Sequence, residues 1–136
     1  AVLIFMDMNH LKQINDIYGH GAGDELLIGA AQSIQKAYGS LGYCFRIGGD
    51  EFCAILPEIK ISEEELSRRL DAAVEEYNRS NDQKLSVARG FSWLQDGRGM
   101  RKSISDWKFE ADQNMYSNKG WYKREEVQEE GTHYEI

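Results

Sequence analysis

Asp50 and Glu51 are adjacent carboxylates inside the stretch Arg46-Ile47-Gly48-Gly49-Asp50-Glu51-Phe52. A third carboxylate, Asp7, ends the apolar run that opens the chain at Ala1. Paired carboxylates converging from two strands make a site for Mg²⁺, a hard cation that takes oxygen ligands and usually shares them with phosphates. That chemistry needs the two segments to meet in space. Taken singly, each has a plainer alternative: Gly-Gly-Asp-Glu is also a solvated acidic turn, and an Asp after a strand is also a helix cap.

The elements that must position these acids are readable. Tyr43, Cys44 and Phe45 precede the acidic stretch, and residues 52–56 continue it as a second apolar run. Two such runs joined through paired glycines predict a β-hairpin, because glycine takes the positive φ that a tight turn requires. Adjacent strand residues point to opposite faces, so Asp50 and Glu51 can serve different roles. Residues 1–6 are continuously apolar, the pattern of a strand buried on both faces. If this strand neighbours the hairpin, Asp7 and the Asp50-Glu51 pair lie side by side.

Leu11, Ile14, Ile17 and Tyr18 recur at helical spacing over residues 10–18. The glycines at 19, 21 and 23 predict a shaped loop, with Asp24 capping the next helix over residues 25–38. Ser62 with Glu65 resembles a capping box for a helix ending near residue 78. A strand over residues 84–94, a turn and a last helix over residues 103–119 follow. Residues 123–136 read as a charged tail or an incomplete final strand. The order is βααββαβα, an α/β (α+β) sandwich with helices covering a mainly antiparallel sheet. No linker or repeat divides the 136 residues, which read as one domain.

A net charge of −7 argues against general affinity for nucleic-acid backbones or anionic membranes. An acidic chain that handles an anionic ligand needs a local device, such as a metal ion or a few placed lysines. Cys44 and Cys53 flank the turn and read as buried, reduced thiols, with a cross-hairpin bridge as the alternative. No apolar run approaches the roughly 20 residues of a membrane span, and no signal-peptide pattern is present. The chain reads as cytoplasmic, which is compatible with its being the output domain of a larger, membrane-bound protein.

Together the motifs match a family. Residues 7–16 (Asp7-Met8-Asn9-His10-Leu11-Lys12-Gln13-Ile14-Asn15-Asp16), then Gly19-His20, Gly23-Asp24 and Arg46 through Phe52, resemble the GGDEF domain of diguanylate cyclases. Ala111-Asp112, Met115-Tyr116 and Lys119 resemble the same family's C-terminal element. The resemblance implies a nucleotide-cyclase or polymerase-palm-like fold. It also implies Mg²⁺-dependent (or Mn²⁺-dependent) condensation of two GTP molecules into cyclic di-GMP, between two facing copies brought together by an upstream sensory or dimerisation domain. A degenerate GTP-binding sensor module is the alternative, its signature being loss of an acid in the turn. A cyclase of relaxed base choice is a third reading, against which Asp24 stands.

By the same resemblance, Asp7, the Met8 backbone carbonyl and Asp50 hold the metal, with Glu51 as a further ligand or as the base for the 3′-hydroxyl. Lys12 and the first amides of its helix, around His10 and Leu11, are implied to meet phosphate. Asn15 and Asp24 correspond to the guanine-reading pair, an amide and a carboxylate that together satisfy guanine's acceptor and donor edge. Outside the motif they are an ordinary helix residue and an N-cap. His20 shapes the loop or touches the nucleotide, with too few partners nearby for zinc. Lys119 and Lys123 are implied to reach the terminal phosphates.

The chain departs from the family pattern in places. Asn9 stands where a second Asp is common, Leu11 where Phe is common, and Ala88-Arg89-Gly90 where Ser-x-Gly is usual. Lys123 replaces an Arg, keeping the charge without the planar fork. Gly39 and Gly42 occupy the positions of the inhibitory product-binding Arg-x-x-Asp, so that site is expected to be absent. The family's opening segment and first helix do not precede Ala1, which implies a trimmed chain.

Overall fold

The structure, a computed structural model, describes residues 1–95 and 101–130, with side chains described as far as Lys119. The strand β1 (Val2–Met8) is buried along nearly its whole length. It lies inside a four-stranded sheet of order β2-β3-β1-β4, completed by β2 (Tyr43–Gly48), β3 (Glu51–Leu56) and β4 (Val87–Trp93). Every neighbouring pair is antiparallel. The helices α1 (Leu11–Tyr18), α2 (His20–Tyr38), α3 (Glu63–Arg79) and α4 (Ile104–Glu130) complete the expected order.

Strand alternation divides the side chains between two layers. Val2, Ile4, Met6 and Met8 join Phe52, Ala54, Leu56, Val87 and Phe91 in one core with Leu26, Ala30 and Ile34 of α2 and Leu66, Leu70 and Ala73 of α3. Leu3, Phe5 and Asp7 alternate to the other face, where Ala111 and Met115 of α4 are buried. Gly90 is the reason α4 can lie so close. A Cβ there would come within 2.1 Å of the Met115 amide nitrogen and 2.4 Å of the Ala111 carbonyl oxygen. On this face the outer strand is open: Tyr43, Phe45 and Ile47 of β2 are each at least half exposed.

Ser62 caps α3 as expected, its hydroxyl accepting from the Glu65 amide, with Glu63, Glu64 and Glu65 in the first turn. The fully buried Tyr38, last residue of α2, donates its hydroxyl to the Leu66 carbonyl at 2.7 Å. Removing that hydroxyl in Tyr38→Phe is expected to cost about 1 kcal/mol. Urea unfolding at constant m-value measures it, and an unchanged midpoint would show that the bond contributes nothing net.

Three expectations change. The glycine-rich segment is not a loop: the break is confined to Gly19 at φ 88°, and α2 begins at His20. Gly23 explains this, since a Cβ there would stand 1.8 Å from Asn15 Oδ1. Its glycine serves close contact between α1 and α2, and Asp24 lies within α2 instead of capping it. The last helix does not stop at residue 119 but continues to Glu130, so residues 123–130 are helical and not a tail or strand. Residues 131–136 lie outside the described part. The two cysteines are free and only half-buried. Cys44 aligns with Ala54 and Cys53 with Phe45, which turns the thiols to opposite faces of the sheet. Burial pushes both thiols up from their ordinary pKa. Among the described residues no helix is long and apolar enough to cross a membrane.

Candidate functional site

The sheet order brings the predicted acids together. Because β1 pairs with β3, Asp7 stands directly opposite Glu51. Directly opposed residues of an antiparallel pair share a face, with Cβ atoms roughly 5 Å apart. The β2–β3 connection is a two-residue turn, Gly49-Asp50, with Gly49 at φ 52° in the region that favours glycine. The register slips between Arg46 and Gly48, leaving Ile47 as an extra residue in β2. Such a bulge bends the strand and re-aims the tip. Arg46 holds that tip from outside, donating through Nε and an Nη to the Gly49 carbonyl at 3.1 and 2.7 Å. The Asp50 carbonyl in turn accepts from the Met8 amide at 3.1 Å, fastening the turn to the end of β1.

Asp7 is the centre of this cluster. It is 7% exposed, and its Oδ1 is buried with no hydrogen-bond partner. Its Oδ2 lies 2.8 Å from the Lys119 ammonium, which also donates to the Met8 carbonyl at 3.2 Å. Burial raises the Asp7 carboxyl to about 6, the neighbouring Asp50 carboxyl adds to the rise, and Lys119 opposes it. A buried carboxylate with one orphaned oxygen, a second carboxyl in reach and a backbone carbonyl beside it fit a small divalent cation. No three acidic, His or Cys side chains among the described residues converge as a complete ligand set. The arrangement therefore suits Mg²⁺, which commonly keeps waters and substrate phosphates in its shell.

The other predicted residues lie on α1, α2 and α4. His10 caps α1 in the left-handed region at φ 65°, the only non-glycine residue among those described with positive φ. This reversal starts the helix immediately after β1, with Leu11 half-buried and Lys12 exposed on its first turn. Asn15 Oδ1 is buried and unpartnered beside Gly23. His20 and Asp24 are exposed on the first two turns of α2. Lys123 falls on the helical backbone of α4, and its side chain lies outside the described residues.

Some residues at the site carry more than their sequence suggested. Asn9 is 7% exposed; its amide nitrogens bond Ser86 through Nδ2 to Oγ at 2.9 Å and through the backbone to the carbonyl at 2.8 Å. It ties β1 to the approach of β4. Arg89, equally buried, reaches α3 through Ser67 and Asp71. Asn114 and Asn118 of α4 bond the outer edge of β4, Asn114 Nδ2 donating to the Phe91 carbonyl at 2.6 Å and Asn118 Oδ1 accepting from the Arg89 amide at 2.8 Å. Their four-residue spacing on one helix was the available signal. At Gly42, where the resemblance led one to look for the Asp of an inhibitory site, a Cβ would lie 2.2 Å from the Ile55 carbonyl oxygen, so the local packing has no room for an Asp.

Known proteins agree with this architecture. The family model for the diguanylate cyclase GGDEF domain matches residues 1–124. YtrP of Bacillus subtilis, an uncharacterised protein, is 31% identical over 121 residues, 88% of this chain and 20% of that protein. A microbial GGDEF domain, solved to show its interaction with bis-(3,5)-cyclic di-GMP, is 34% identical with a TM-score of 0.64, covering 87% of this chain and 71% of that one. The GGDEF domain of DgcB from Caulobacter crescentus, solved with c-di-GMP, is 25% identical with a TM-score of 0.69, over 87% of this chain and 71% of that one. The chain spans about a fifth or less of the curated relatives it matches. With the acids meeting at the end of β1 and the family model covering nearly the whole length, this chain belongs to the GGDEF domain family.

Proposed function

We propose that the chain is the catalytic domain of a diguanylate cyclase, joining two GTP molecules into cyclic di-GMP with release of two pyrophosphates. The observation that carries this reading is the meeting of Asp7 and Asp50 at the end of β1, with a buried Asp7 oxygen left without a partner. In each half-reaction the 3′-hydroxyl oxygen of one GTP bonds the α-phosphorus of the other. The bond from that phosphorus to the pyrophosphate oxygen breaks, and the hydroxyl proton leaves to a base. Two copies, each holding one GTP, must face each other for both bonds to form.

Asp7, Asp50 and the Met8 carbonyl would hold Mg²⁺, with Glu51 beside it as ligand or proton acceptor. The ion, when bound, neutralises phosphate charge and lowers the pKa of the attacking hydroxyl. The chain's own residues position the rest. The left-handed His10 aims the first amides of α1 past the end of β1, where an anion is favoured. Lys12 adds charge on the same turn, and Lys119 and Lys123 serve the terminal phosphates. Asn15 and Asp24 read the base: the orphaned Asn15 Oδ1 accepts from guanine's N–H edge, which adenine would leave unpaired. His20, exposed at the start of α2, would touch the nucleotide. An upstream sensory or dimerisation segment in the longer protein would set how often two copies meet. We place the domain in the cytoplasm, where GTP is available.

Incubation with GTP and Mg²⁺ at high protein concentration tests the reading, with products separated by chromatography and weighed by mass. Cyclic di-GMP is expected, at a rate rising faster than linearly with protein and falling about a thousandfold in Asp50→Ala. Bound GTP without product, even with two copies fused to a dimeriser, would replace the enzyme with a GTP-sensing module.

A further inference from the structure

We propose that Lys119 is the resident counter-cation of the acid site and competes with the divalent ion for it. This rests on the metal-site reading above and deepens it. The Lys119 ammonium touches two of the three expected ligands at once, Asp7 Oδ2 at 2.8 Å and the Met8 carbonyl oxygen at 3.2 Å. A Mg²⁺ ion needs ligand oxygens at roughly 2.1 Å with lone pairs turned towards it. The ammonium occupies one of the two lone pairs of the Met8 carbonyl, and two cations held on the same carboxylate and carbonyl repel each other across a short distance.

The ammonium suits a stand-in role. It supplies one positive charge beside the Asp7 and Asp50 carboxyls, enough to hold Asp7 in place and not enough to satisfy Oδ1. The residue before it is fixed, because Asn118 Oδ1 accepts from the Arg89 amide on β4. Lys119 therefore leaves by side-chain rotation alone, and its ammonium stays within one side-chain length of the site. A metal ion arriving with a triphosphate displaces the ammonium and offers it a new anionic partner in the same event. A metal ion arriving alone displaces it into water. Metal and nucleotide are thus coupled through this lysine: each tightens the other.

The test is Mn²⁺ binding without nucleotide, followed by electron paramagnetic resonance, in the full chain and in Lys119→Met. Methionine keeps an unbranched stem without the charge. The expected result is about tenfold tighter Mn²⁺ binding in Lys119→Met, with the mutual tightening of Mn²⁺ and GTP reduced by a like factor. Asp7→Asn serves as the control that abolishes binding at this site. Unchanged or weaker Mn²⁺ binding in Lys119→Met, still sensitive to Asp7→Asn, would overturn the competition and leave the metal site standing. No Mn²⁺ binding sensitive to Asp7→Asn in either chain would overturn the metal reading and this inference with it. A second measurement needs no folded variant: in the native chain with ¹³C-labelled lysine, Mg²⁺ without nucleotide is expected to shift the Lys119 ε-methylene resonance. A saturating metal that leaves that resonance in place overturns the proposal.

Discussion

Asp7→Asn is expected to abolish cyclic di-GMP synthesis, by about a thousandfold or more, while making the metal-free chain more stable by about 1 kcal/mol. The two signs come from one cause. Asp7 is held almost out of water beside a second carboxyl, and its pKa is pushed up from 3.8 to about 6. A raised carboxyl pKa means that the folded chain binds the proton more tightly than the unfolded chain does. The derivative of stability with pH is then negative between the two values, so stability falls as pH rises from about 4 to about 6 and levels above. Asparagine is neutral throughout and keeps nearly the same shape. The variant's advantage should be near zero at pH 4 and fully developed by pH 7. The Lys119 ion pair is already contained in the raised pKa, which it holds down, and solvent screening at the site reduces the effect further, which is why only about 1 kcal/mol is expected. Urea unfolding at several pH values, in chelator, measures the difference. A variant less stable than the native chain at pH 7 would mean that the Lys119 pair outweighs the desolvation of Asp7.

Gly90→Ala is expected to destabilise the fold by about 3 kcal/mol, the upper range for forcing an extra methyl into a packed interior. The atoms it meets are all backbone: the Met115 nitrogen at 2.1 Å, the Ala111 oxygen at 2.4 Å and the Asn114 carbonyl carbon at 2.6 Å. No rotamer change relieves such a contact. Helix α4 must move away from β4, and its bonds from Asn114 and Asn118 to the strand edge stretch with it. Lys119 moves too, so the ammonium should part from Asp7 even where the variant still folds. Gly21→Ala is the control, since its Cβ meets nothing within 4 Å on a helix. There the gain in helix propensity should raise stability by up to about 1 kcal/mol. A Gly90→Ala loss smaller than about 1 kcal/mol would show that α4 can ride over the strand without resistance.

These two residues also show what could be read from the chain and what could not. The continuous apolar run into Asp7 and the glycine-paired hairpin are local patterns, and they placed β1, β2 and β3 closely. Whether the acids meet depends on strand order, which period and composition do not encode; only the family resemblance spoke to it. Gly23 shows the opposite limit. A glycine cluster signals either a loop or a close approach of two backbones, and the sequence offers no means of choosing. Here the second holds, so α2 absorbs Gly21, Gly23 and Asp24. The end of α4 escaped for another reason: Gly120 after Lys119 reads as a stop signal, and the helix runs through it to Glu130. The contact of Lys119 with the Met8 carbonyl spans 111 positions and is purely tertiary. Helical spacing located the lysine, and only the packed sheet shows what it touches.

The two outer strands of the sheet are finished differently. Along β4 the outward Phe91 carbonyl and Arg89 amide already bond to Asn114 and Asn118, whereas β2 offers Tyr43, Phe45 and Ile47 half-bare. A row of free backbone groups is a template for adding strands, and a body with two such rows can grow without limit. A body with one can join only a single like neighbour, after which no template is left. Among the described residues, β2 is thus the sheet edge left open to a further strand, and β4 the edge already engaged by its own helix.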